Sequence, residues 1–434
     1  MNEKYDAVII GAGIIGCCVG FQLAKRGYKT LNIDKLPAAG YGSTSSSCAV
    51  IRLSYSTYLG SLLAYEGYHV WRDWDNYLGV PDDHGRPRFN LTGCLLIKSE
   101  INNNLENIRR SMAEVGIPFE DWDLATIKEK VPYFDLRKFA PVRRPNDPDF
   151  GLSTGETING AVYYKQGGYI NDPTLTSHNV QRAAEARGGR FLFNRAVVEI
   201  RREGGRVLGV VLDDGRIVDA PIVVNAAGPH SSVINRLAGI EEGMKIKTRA
   251  LRREVAHVPA PPGVDMDNHG FVLADDDVGD YFRPEVGNNL LIGSLEPACD
   301  QKEWVDPDDY NRNLGEQWTA EVYRLALRIP DLGIPNQPRG LVDLYDVSDD
   351  WLPIYDRSDL DGFFLAIGTS GNQFKTAPVA GIIMAEIIDA CKNGRDHDHD
   401  PVAVALPYTG KTIDAGFFSR NREINTESSF TVIG

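Results

Sequence analysis

The sequence predicts an α/β protein in which a domain on a parallel sheet is interleaved with a second, α+β domain built on an antiparallel sheet. Three observations carry this. The apolar run 5–10 passes through Gly11, Gly13 and Gly16 into a helical stretch and then into a second run, 29–33, closed by Asp34. That is one βαβ unit of about 30 residues. Between 249 and 293, strand-like segments are separated by turn signals at Pro261-Pro262 and Gly287-Asn288, the pattern of antiparallel strands. The length, 434 residues, is roughly two to three domains' worth at about 150 residues each.

The elements follow in order. Residues 5–10 read as a buried parallel strand, 14–26 as a helix stopped at Gly27, and 29–33 as the next strand. Residues 58–77 are helical, with Tyr65, Tyr68, Trp71 and Trp74 forming a core-facing stripe. Residues 89–97 read as a strand and 103–115 as a helix. The Pro-, Asp-, Asn- and Gly-rich stretch 141–160 reads as a surface excursion or domain crossing. A helix over 171–187 precedes strands at 190–194, 197–202, 206–212 and 217–220, with Asp214-Gly215 as a hairpin turn. A buried strand over 222–227 runs into Gly228-Pro229-His230. Later come a helix at 317–328, strands at 341–345 and 363–367, and a final helix at 377–392. The division this implies is a composite first domain over 1–82, 151–234 and 338–410, a second domain over 83–150 and 235–337, and a C-terminal arm over 411–434.

Composition narrows the function. Hydrophobic residues make up 42% and charged residues 24%, ordinary globular usage. A net charge of −14 disfavours nucleic acid and anionic membrane surfaces as general partners, so an anionic substrate needs a local basic pocket. The most apolar run, 7–21, is too short to span a membrane, so no integral membrane contact is expected. The six cysteines show neither CxxC nor zinc spacing, and no cationic signal region precedes the first strand; both point to a reducing cytoplasm. The RDHDHD stretch 395–400 reads as a solvated linker in preference to a metal site, and no metal is expected.

Gly11, Gly13 and Gly16 lie between strand and helix, with Asp34 about 20 residues further on. Gly11 permits the tight turn, Gly13 admits a pyrophosphate against the backbone, and Gly16 lets the helix pack on the sheet. Asp34 accepts from a ribose hydroxyl, which favours FAD or NAD over NADP. No second βαβ half follows. Instead Gly42-Ser43-Thr44-Ser45-Ser46-Ser47-Cys48 forms a small-residue loop, either pressed against a bulky ring system or a flexible linker. Arg52, bracketed by apolar residues, reads as a buried carboxylate clamp, a structural ion pair or a snorkelling arginine. Lys375, after Gly371-Asn372-Gln373-Phe374, sits between a strand end and a helix start. It is either placed beside a reduced flavin or exposed.

Together these residues resemble the D-amino-acid oxidase superfamily of FAD enzymes, in the branch of sarcosine oxidase, glycine oxidase and sarcosine dehydrogenase. Four motifs in family order carry the resemblance from about residue 4 to 392: the Gly11-to-Asp34 fingerprint; Gly42-Ser43 with Ile51-Arg52; Val224 through Pro229; and Tyr345 through Asp349 with Pro353 and the 368–375 loop. It implies a Rossmann-like FAD-binding domain of the glutathione-reductase type. The implied FAD contacts are Gly11, Gly13, Ile14, Ile15, Gly16, Asp34, Lys35, Gly42, Ser43, Thr44, Val197, Ala227, Gly228, Gly371, Asn372, Gln373, Phe374 and Lys375. Arg52 and Lys375 would hold a substrate carboxylate, and Arg283 would supply a further positive charge.

Departures from the family pattern shape the rest. The positions that tether flavin covalently in relatives fall on Asp343 and Ser46, which implies noncovalent FAD. The family's oxygen-activating lysine falls on Leu291, its arginine beside the ring on Ala49 and its active-site histidine on Leu295. The expected reaction is oxidation of the C–N bond of an amino acid or N-alkyl amino acid by hydride transfer to flavin N5, giving an imine that hydrolyses. Electrons would pass to a quinone or an electron-transfer flavoprotein in preference to oxygen. One alternative is a 2-hydroxy acid dehydrogenase, with His257 or His269 as the base an alcohol requires. Another is a low-turnover flavin-bearing assembly protein that uses the 411–434 arm for a partner.

Overall fold

The computed structural model describes residues 3–434. The first apolar run forms strand Ala7–Ile10, buried along its whole length. Ala7 and Ile9 feed one hydrophobic core, Val8 and Ile10 another, so both faces of the sheet are covered, as a parallel sheet requires. The sheet has six strands in the order Arg190–Leu192, Thr30–Ile33, Ala7–Ile10, Ile222–Asn225, Phe363–Ile367, Ile354–Arg357. The first five run parallel and the last pairs antiparallel. Helix Ile14–Lys25 is almost wholly buried. It meets helix Ala377–Lys392 so closely that a side chain at Gly381 would lie 2.6 Å from the carbonyl oxygen of Cys18.

The second sheet has eight strands in the order Gly340–Ser348, Thr248–Pro259, Asn289–Ser294, Asp280–Glu285, Val272–Asp275, Cys94–Ile97, Ala161–Tyr164, Glu120–Trp122. Every pair is antiparallel except Val272–Asp275 with Cys94–Ile97. Helix Glu316–Arg328 closes one face through Val322 and Leu325 against Phe282, Leu290 and Ile292. The other face turns Arg253, Val255 and Tyr281 towards a cavity between the sheets. Strands Ala161–Tyr164 and Gly340–Ser348 belong to this sheet. The boundaries drawn at 151 and 338 therefore shift, since hydrogen bonding places both segments with the second domain.

Other elements differ in detail. The 58–77 helix is two helices, Tyr58–Arg72 and Trp74–Leu78, hinged at Asp73. Its aromatic stripe packs inward as expected, with Tyr68, Trp71 and Trp74 buried. The 89–97 strand divides into Phe89–Asn90 and Cys94–Ile97, which join different sheets. Between them Gly93 takes φ +78, a conformation only glycine adopts freely. The arm packs along its own chain: Thr412–Asp414 pairs with Ala403–Ala405, and Arg420 is buried against Asp356 and Asp398. In 395–400 the charges are spent on neighbours. Asp398 pairs with Arg420, Asp400 with Arg395 and Asp396 with His399, and His397 accepts from the backbone N–H of Val402. Among the described residues no helix is long and apolar enough to cross a membrane.

Candidate active site

A cavity of about 540 Å³ runs between the two sheets, within the usual range for ligand sites. At one end is the turn after Ala7–Ile10. Gly11 has φ +115, and a Cβ there would lie 2.3 Å from the carbonyl oxygen of Ala226. A Cβ on Gly16 would lie 2.3 Å from the carbonyl oxygen of Gly11. The turn can thus close only without side chains. Asp34 stands opposite, its Oδ2 accepting from the N–H of Ala12 at 2.7 Å and its Oδ1 from Leu36 at 2.9 Å. Burial raises its pKa. Lys35 lines the same end and donates to Asp308 at 2.5 Å.

All the residues expected to contact a dinucleotide line this cavity except Gly16, whose part is helix packing. Ser46 and Asp343 line it as well. The loop before helix Ala377–Lys392 is shaped by Asp346, which accepts from Ser231 Oγ at 2.7 Å and from the Gly368 N–H at 2.6 Å. Burial pushes the Asp346 carboxyl up to about 7. Gly371 lies flat on the Tyr345 ring, where a Cβ would meet the ring at 2.4 Å.

Arg52 and Lys375 also line the cavity, and both lie against Tyr55. The Arg52 guanidinium lies 4.2 Å and the Lys375 ammonium 5.4 Å from the Tyr55 ring centre. Lys375 is 3% exposed; its Nζ donates to Tyr55 Oη at 3.1 Å and to the Asn372 carbonyl at 2.6 Å. Helix Tyr58–Arg72 holds its backbone, for Trp71 Nε1 donates to the Lys375 carbonyl at 2.8 Å. Gly67 lets that carbonyl approach, as a Cβ there would lie 2.2 Å away. Burial and the Arg52 charge together hold the Lys375 pKa well below the usual lysine range. Among the described residues neither cation has a carboxylate partner.

Arg52 donates instead to carbonyl oxygens: those of Ser54, Val432 (2.7 Å) and Ile433. The last residues of the arm thus reach into the cavity. Ser56 Oγ donates to the Gly434 carbonyl at 2.5 Å, and Gly434 lies against Tyr55. Nothing in the arm's sequence marked this placement.

Arg283 does not share the chamber. It is buried on the Tyr169 ring, 4.4 Å from its centre, and pairs with Glu285 at 2.8 Å, outside the cavity lining. Position along the strands, and not the face, separates it from Arg253, since register puts both on one face of the sheet. Arg253, two strands away on the same face of the sheet, lines the cavity and is neutralised by Glu296 at 2.6 Å. Tyr55, Tyr281 and Tyr345 are also in or against the chamber. The alternation of the long strand Thr248–Pro259 was the one signal that could have found Arg253. His257 and His269 stand outside the lining, the latter exposed, so neither is placed as a base for an alcohol. Leu291 lies beside Arg283 in register, also outside the lining.

A glycine turn feeding a helix, an acidic residue at the next strand end and a chamber at the far end of one continuous cavity define a dinucleotide-dependent oxidoreductase. The chain belongs to the FAD dependent oxidoreductase (DAO) family, whose sequence pattern matches residues 6–387. It is 24% identical over 393 residues to the sarcosine oxidase subunit beta of Rhodobacter capsulatus, covering 89% of this chain and 85% of that one. It is 25% identical over 422 residues to human peroxisomal sarcosine oxidase, covering 94% and 98%. The fold matches L-proline dehydrogenase from P. horikoshii with a TM-score of 0.73 at 21% identity, over 96% of this chain and 98% of that one. The cofactor is FAD, and the residues present fit it: Gly11 and Gly13 clear the backbone for a pyrophosphate, and Asp34 faces the cavity. The amide Nδ2 of Asn372, buried at its wall, has no hydrogen-bond partner.

Proposed function

We propose that the protein oxidises a small carboxylate-bearing amine, an amino acid or N-alkyl amino acid, whose carboxylate lies between Arg52 and Lys375. The observation that supports this is the pair of adjacent cations with no acidic partner. Arg52, half-buried, and Lys375, buried, have only neutral partners on the chain, and an anionic ligand supplies the charge that holds both as cations. Bound FAD supplies a two-electron acceptor, held noncovalently since Ser46 and Asp343 replace the tethering residues.

The chain's own residues do the rest. An amino acid arrives as a zwitterion, yet C–H cleavage needs the nitrogen lone pair. Lys375, with its depressed pKa, takes the ammonium proton at Nζ. That exchange leaves a neutral amine in the chamber and a charged Lys375 beside the carboxylate. Arg52 turns its N–H groups from the carbonyls of Val432 and Ile433 to the carboxylate, and the arm tip yields its place. Ala49, Val50 and Leu295 line the chamber and exclude water. Orientation by two cations supplies the proximity on which such a reaction depends. Strand Asn289–Ser294 carries no cation, which supports a quinone or electron-transfer flavoprotein as acceptor over oxygen. The six free cysteines support a cytoplasmic location.

The test is anaerobic bleaching of the bound flavin by a panel of amino acids, N-methyl amino acids and 2-hydroxy acids, followed by reoxidation with air or a quinone. Bleaching by an amine and faster return with quinone are expected. Bleaching by hydroxy acids alone, or by no compound, would overturn the reading.

A further inference from the structure

We infer a second, separate site: Asp82, His84 and His178 form a zinc site that clips the crossing between the two domains onto helix Pro173–Glu185. Asp82 and His84 lie on the loop between helix Trp74–Leu78 and strand Phe89–Asn90, and His178 is in the middle of that helix. None of the three lines the flavin cavity.

Asp82 Oδ1 lies 3.5 Å from His84 Nδ1 and 3.4 Å from His178 Nε2, and all three atoms fall within 4.8 Å of one another. Ligand atoms about 2.0–2.1 Å from a tetrahedral zinc stand ~3.4 Å apart. The two imidazoles meet edge to face, with ring centres 4.4 Å apart. The carboxylate is built in place. Its side chain is 1% exposed, and Asn179 Nδ2 donates to its Oδ2 at 2.8 Å. The Asn179 Oδ1 is in turn held by Trp74 Nε1 at 3.2 Å. A second layer of this kind aims one carboxylate oxygen at the imidazoles, as in known metal centres. Oδ1 also accepts from the backbone N–H of His84 at 3.0 Å, which fixes the loop.

Two further facts point to a cation. His178 Nε2 is buried without a hydrogen bond. Among the described residues no lysine or arginine lies within 4 Å of Asp82, so the basic side chains at ion-pair distance from this buried carboxylate are two imidazoles. Two imidazole nitrogens and one carboxylate, with His84 exposed to admit a water as fourth ligand, suit zinc among the common divalent ions.

The experiment is calorimetric titration of the flavin-loaded, chelator-stripped full chain with Zn²⁺. One equivalent is expected to bind, and Asp82→Asn, His84→Ala and His178→Ala are each expected to weaken it by at least about 100-fold, the upper end of what losing a group that merely orients a ligand costs, with flavin content unchanged. Zinc should also protect the 79–88 loop of the parent protein from proteolysis, a readout independent of whether the variants fold. Absence of stoichiometric binding to the parent, or binding that survives in His84→Ala/His178→Ala, would overturn the site.

Discussion

Behind the eight-stranded sheet, buried arginines have carboxylate partners on the chain; in front of it, two cations do not. Arg324 pairs with Asp280 at 2.7 Å and Asp300 at 2.9 Å, and Arg328 with Asp275 at 2.7 Å and Asp277 at 2.9 Å, with all six side chains nearly inaccessible. These fasten helix Glu316–Arg328 to the turn at one end of the sheet. Arg52 and Lys375 are satisfied only by carbonyls and a phenol. The first arrangement is complete without a ligand. The second has no carboxylate on the chain among the described residues, and the arm's carbonyls occupy Arg52. A buried charge reads as structural when its partner is on the chain and as functional when it is not.

The sharpest break in this comparison is Arg328→Met, which leaves Asp275 and Asp277 buried without a counter-ion. It should cost about 3–5 kcal/mol of stability, seen as a lower midpoint in urea. Arg52→Ala should do the reverse. We expect the substrate constant to rise about 100-fold, a loss of ~3 kcal/mol in binding, with flavin content retained and stability little changed. An unchanged substrate constant would remove Arg52 from the site.

Titration sharpens the contrast further. Acetate brings no proton, so its binding needs charged Lys375. Its affinity, followed by perturbation of the flavin spectrum, should fall as pH rises through the depressed Lys375 pKa. A zwitterionic amino acid carries the proton in and should show no such fall. Asp346 tests the scaffold. Its pKa is raised to about 7, so it favours the fold while protonated and loses that contribution as pH climbs from about 4 towards 7. Asp346→Asn should flatten that part of the stability profile by up to ~1.4 kcal/mol per pH unit. The smallest effect is the arm's: removing residues 429–434 should tighten acetate binding only severalfold, because the displaced groups are neutral carbonyls.

Much of the cofactor half was legible in the sequence. Gly11, Gly13, Gly16 and Asp34 act through local geometry, where a turn fits or a Cβ collides, and such constraints are written at fixed spacing. The pairing of Arg52 with Lys375 came from resemblance, since they stand 323 positions apart in the chain. Arg283 lies outside the cavity lining for a physical reason. Arg283 and Arg253 share a face, so alternation does not separate them; which of the two lines the cavity depends on position along the strands and on where Glu285 and Glu296 fall.

The sequence by itself determined the βαβ opening, the dinucleotide turn and the alternating strands, because propensity, glycine stereochemistry and hydrophobic period act over a few residues. Only the tertiary structure decided which cations lack partners, that the arm tip rests on Arg52 and Ser56, and that His178 faces Asp82. Charge pairing and burial depend on distance in space, and segments far apart along the chain become neighbours only when the sheets close.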